Sequence, residues 1–87
     1  MKNASIPQPS IKEIEMKLRS VIAGKETREN ISDWAMNYII NDDNVEVTDY
    51  KAWHFLVDVT HTDAAISPGE YLYYNEDFED WIREYTE

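Results

Sequence analysis

Apolar side chains return at steps of three and four residues in four stretches of this chain, and that spacing decides its fold class. Ile11, Ile14, Leu18, Val21 and Ile22 form one stripe, and Ile31, Trp34, Ala35, Tyr38 and Ile39 form a second. Trp53, Leu56, Val57 and Thr60 form a third, and Phe78, Trp81, Ile82 and Tyr85 a fourth. A period of about 3.6 residues sets each group along one side of a helix, where it must be covered by another element. With 87 residues the chain has room for one core and no second domain. The expected fold is therefore all-α, a small single-domain bundle of about four amphipathic helices. Only the third stretch is ambiguous, because Phe55, Leu56, Val57 and Val59 would also suit a buried strand.

Local signals set the boundaries. Residues 1–9 contain Pro7 and Pro9 and little that packs, which predicts a flexible or extended tail ahead of a helical domain over 10–87. Ser10 and Glu13 have the spacing of a capping box, and Gly24 suits the left-handed position that ends a helix. Thr27 should cap the second helix and Thr48 the third, with Asn41-Asp42-Asp43-Asn44 between them and Val45-Glu46-Val47 briefly extended. Ser67-Pro68-Gly69 marks a turn, after which residues 71–74 form a loop or one short extended segment. Asn75 should cap the last helix, with Glu76 and Asp77 at the positive end of its dipole.

Two segments carry a resemblance. Thr27-Arg28-Glu29-Asn30-Ile31-Ser32-Asp33-Trp34-Ala35 and Tyr71-Leu72-Tyr73-Tyr74-Asn75-Glu76-Asp77-Phe78-Glu79-Asp80-Trp81-Ile82 resemble a family of small acidic bacterial proteins of unknown function. The resemblance implies a bacterial, mostly helical protein and brings no catalytic residues with it.

Charge narrows the function. The chain has 18 acidic and 8 basic residues, a net charge of −10. The imbalance is uneven: Met1 to Asn30 holds six basic residues against four acidic, whereas from Ile31 onward 14 acidic residues face only Lys51 and Arg83. Direct binding to DNA or RNA is not expected on this basis, since a phosphate backbone calls for a basic surface. The expected activity is instead non-enzymatic binding of a basic protein partner, for example by an immunity or antitoxin-like inhibitor. Tyr71, Tyr73 and Tyr74 lie outside the helical stripes beside Glu76, Asp77, Glu79 and Asp80, and these seven residues are the expected contact surface. Trp34, Tyr38, Trp53, Trp81 and Tyr85, by their helical spacing, are expected in the core.

The alternative is a small metal-binding or enzymatic domain. His54, Asp58 and His61 would align on one face of the third helix at a spacing that suits Zn²⁺ or Ni²⁺. Two histidines in the whole chain leave no further imidazole to complete such a site, so no metal or other cofactor is expected. Zero cysteine removes thiolate ligands and a thiol nucleophile. Neither a signal-peptide core nor a run of about 18 apolar residues occurs, so a cytoplasmic protein without a membrane span is expected.

Overall fold

The computed structural model describes residues 6–87. Four α-helices dominate these residues: α1 (Ile11–Ile22), α2 (Arg28–Ile40), α3 (Tyr50–Val59) and α4 (Asn75–Thr86). Each begins where a side chain satisfies a backbone N–H that the first turn leaves free. Ser10 Oγ accepts from the Glu13 N–H at 3.1 Å, and Thr27 Oγ1 from the Asn30 N–H at 3.1 Å. Helix α1 stops at Gly24, whose φ of +77° is the left-handed conformation that a Cβ disfavours. The Lys25 N–H then reaches Ser20 O at 2.8 Å and the Gly24 N–H reaches Val21 O at 3.0 Å, the paired bonds of a Schellman motif.

Two caps shift by one residue from expectation. Asp49, not Thr48, caps α3, its carboxylate accepting from the Ala52 N–H at 3.2 Å. The reason is tertiary: Gln8 Oε1 accepts the N–H groups of both Thr48 (2.7 Å) and Asp49 (2.9 Å), fixing the chain as it enters the helix. At α4 the cap is Tyr74 and Asn75 is the first helical residue, because the Asp77 carboxylate reaches back to the Tyr74 N–H at 2.8 Å.

The fold is mostly helical rather than purely all-α, since two small sheets join the helices. Strands β1 (Ile6–Pro7) and β2 (Val45–Glu46) pair in parallel, Ile6 opposite Val45 and Pro7 opposite Glu46. Strands β3 (Ala65–Ser67) and β4 (Glu70–Tyr71) pair antiparallel around Gly69, which has a φ of +79°. A two-residue strand has no periodicity to read, so these pairings left no pattern in the sequence. Ile6 to Pro9 are extended but tied down: Gln8 bonds to the entry of α3, and Pro9 is buried. The rest of the expected tail, residues 1–5, lies outside the described residues.

The core is built by all four helices, with α1 packed on α2, α3 and α4. Ile14, Leu18 and Val21 of α1 meet Ile31 and Ala35 of α2, Phe55, Leu56 and Val59 of α3, and Phe78 and Ile82 of α4. Helix α3 turns a different edge inward from the one expected: Ala52, Phe55, Leu56 and Val59 are buried, whereas Trp53 and Val57 are half-buried. Trp81 is likewise half-buried, packed against Tyr73 and Phe78. Two buried hydroxyls join α2 to the end of α3. Ser32 Oγ donates to Thr60 O at 2.8 Å, and Thr62 Oγ1 shares its proton between Arg28 O (3.2 Å) and Val59 O (3.0 Å). Both groups are thereby satisfied, which removes the cost of burying them. No helix among the described residues is long and apolar enough to cross a membrane.

Candidate nucleic-acid interface

Arg28, at the start of α2, organises the region of the tyrosines. Its guanidinium lies 4.3 Å from the centre of the Tyr71 ring and 4.8 Å from that of Phe78, and it donates to the backbone carbonyls of Tyr73 and, at 3.4 Å, Thr62. Tyr71 donates its phenol proton to the Glu29 carboxylate. That bond holds Glu29 below the usual carboxylate range and pushes the Tyr71 hydroxyl up. The Tyr73 ring meets Trp81 edge-on with centres 5.1 Å apart. Asp77 caps α4, and Asp80 pairs with Arg83. Among the seven residues expected to form a contact surface, Tyr71, Tyr73 and Asp77 are thus used to hold the β4–α4 segment on α2. Tyr74, Glu76, Glu79 and Asp80 remain exposed.

The His54, Asp58 and His61 face does not assemble. Both histidines are exposed, and the Asp58 carboxylate instead accepts the Tyr85 hydroxyl at 2.6 Å. Tyr85 stacks on Phe55, ring centres 4.6 Å apart and nearly parallel at 9°. Burial, and then the bond to Asp58, push the Tyr85 hydroxyl well above its ordinary value. No group of three His, Asp or Glu side chains among the described residues could hold a metal ion.

What the sequence reading missed lies on α1 and α2. Lys12, Met16, Arg19 and Ala23 recur at i, i+4, i+7 and i+11 on α1, which makes them one outward stripe, and all four are exposed. Arg19 shares its charge with Glu15 through a 2.8 Å ion pair, while Lys12 and Lys25 stand exposed outside both ion pairs found among the described residues. On the other flank of α1, the Lys17 ammonium lies 5.1 Å from the centre of the Trp34 ring. Trp34 and Tyr38 pack edge to face at 5.6 Å and, with Ile6, Asn37 and Asn41, line a cavity of about 250 Å³. Both aromatics are half-buried rather than in the core. Their helical spacing hid this, because a residue at the edge of a stripe keeps the same period as one at its centre. Helix α2 brings Asp33 as its one exposed charge beyond its first turn. The contrast with α4 is marked, since that helix holds five acidic residues and one arginine.

A family model described as "YxzC DNA-binding protein" matches residues 4–85. An "Uncharacterized protein YxzC" from Bacillus subtilis (strain 168) is 42% identical over 71 residues, covering 82% of this chain and 57% of the relative. The chain thus spans little more than half the length of that relative. No solved structure matches. The family's description overturns the expected basic protein partner, the immunity-like role and the exclusion of direct nucleic-acid contact; a net charge sums over surfaces that face different ways, so it is a poor guide to any single one. With nearly the whole chain matched, this protein belongs to the YxzC family of bacterial proteins.

Proposed function

We propose that this chain binds DNA, and that it does so through the phosphate backbone with the cations of α1 and the turn that follows it. The observation that carries this reading is the partition of charge on the folded chain: Lys12, Lys17, Arg19 and Lys25 are gathered on α1 and its C-terminal turn, while most of the acid lies beyond residue 31. Phosphate contacts of this kind give affinity and orientation but carry no sequence information. Few cations and a large opposing charge make the binding weak and sensitive to salt. The same reading treats the protein as a binder and not an enzyme, with Asp58 serving Tyr85 and not a histidine. It also places the protein with DNA, in the cytoplasm.

Fluorescence anisotropy with a labelled duplex at low salt tests the proposal. Replacing Lys12, Lys17 and Lys25 together by glutamine should weaken binding of unrelated duplex sequences by a similar factor, as loss of phosphate contacts does. Unchanged affinity in that variant would refute the proposed surface.

A further inference from the structure

The cavity between α1, α2 and β1 has chemistry that phosphate contacts leave unused. Trp34 and Tyr38 supply aromatic surface, and the side chain of Asn37 is exposed with no hydrogen bond to another described residue. Asn41 donates from Nδ2 to Asn37 O at 2.7 Å, which orients its amide and leaves its carbonyl oxygen available. At about 250 Å³ the space is just below the ~300 Å³ at which pockets for drug-sized ligands begin, so it suits one flat ring system and not a whole nucleotide. Lys17 stands at its rim with its charge over Trp34.

We propose that this cavity receives one unpaired base of DNA, held against Trp34 and Tyr38, read by the Asn37 amide and followed by a phosphate at Lys17. The proposal rests on the DNA-binding reading and adds the form of DNA that is recognised. A base inside a duplex keeps its faces stacked on its neighbours, so an aromatic pocket can take only a base that is single-stranded or turned out of the helix. An amide offers one donor and one acceptor side by side, which matches the N6 and N7 of adenine. The charge pattern agrees. Lys17 lies within about one helix diameter, ~10 Å, of the Lys12 and Arg19 stripe, so a single strand crossing α1 meets cations on both flanks. The acidic helix α4 contributes nothing to the cavity lining.

The test compares single-stranded oligodeoxyadenylate and oligothymidylate of about 15 nucleotides, a length at the upper end of known single-strand site sizes, with a duplex of the same length. The full chain should bind the single strands more tightly than the duplex and prefer adenine about fivefold or more. Tryptophan emission should be quenched on binding. Trp34→Ala should weaken single-strand binding about 5- to 150-fold, the span that corresponds to losing one stacked base, and leave duplex binding in place. Asn37→Ala changes an exposed side chain, so it keeps the test sound if Trp34→Ala unfolds; it should abolish the adenine preference. If single strands and duplex bind alike, with no quenching and no effect of Asn37→Ala, the pocket proposal is wrong while DNA binding stands. If neither form binds at low salt, both proposals fall.

Discussion

Two regions of this molecule combine aromatic rings with charge, and they use the combination in opposite ways. At the β4–α4 segment, Tyr71, Tyr73 and Tyr85 are engaged by Glu29, Trp81 and Asp58, while Arg28 is held between two rings and two carbonyls. At the α1–α2 cleft, Trp34 and Tyr38 border open space, and Asn37 has no partner among the described residues. Composition made the first region look like a binding surface and the second like core. What separates them is whether the hydrogen-bonding groups are already spent inside the fold, because a group satisfied internally has little left to offer a ligand.

If the β4–α4 segment is structural, Arg28→Ala should produce the largest loss of stability among changes to its polar residues. Two carbonyls, of Tyr73 and Thr62, would lose a charged donor, and hydrogen bonds to charged groups contribute about 1.5–3 kcal/mol. Urea melts should show that loss; a shift of a few tenths would mean the guanidinium is free for a ligand. A smaller effect is expected at Tyr85. Tyr85→Phe leaves Asp58 without its donor and should cost about 0.5–1.5 kcal/mol, the net value of an ordinary hydrogen bond. The folded-state pKa of this phenol lies above its unfolded value of about 10, so its contribution is full below pH 10 and is lost as pH rises through the folded value. Stability measured between pH 9 and pH 11, about the ordinary tyrosine value, should fall in the parent chain and fall less in Tyr85→Phe. Smallest of all should be Tyr74→Ala, since this ring is 57% exposed. Its melt should stay within about 0.5 kcal/mol, as for surface positions generally.

Much of the fold was legible because its determinants are local. The stripes of α1, α2 and α4, the Ser10 and Thr27 caps and the Gly24 stop each depend on residues within four or five positions of one another. The remainder depends on distant partners. Gln8 decides the entry of α3 from 40 residues away, and the β1–β2 pair joins chain segments at similar separation. Arg28 could be read only as a cation at a helix start, since Tyr73 lies 45 residues on. The α1–α2 cleft was hidden for a different reason. Periodicity tells which side of a helix faces inward, but Trp34 and Tyr38 lie at the margin of that side, and only the packed neighbours show that their rings border a cavity. Net charge misled in the same way, because the basic segment was outweighed by acid located elsewhere.

The central claim is that a few cations on α1 carry DNA binding in spite of a net charge of −10. The dependence of duplex affinity on salt tests this most directly. Each neutralised phosphate contributes about −0.9 to the slope of log K against log salt concentration, so two or three contacts predict a slope of roughly −2 to −3. Lys12→Gln should make that slope shallower by about 1, and Glu79→Gln should leave it unchanged. A slope near zero in the parent chain, or one that Lys12→Gln fails to alter, would contradict the account.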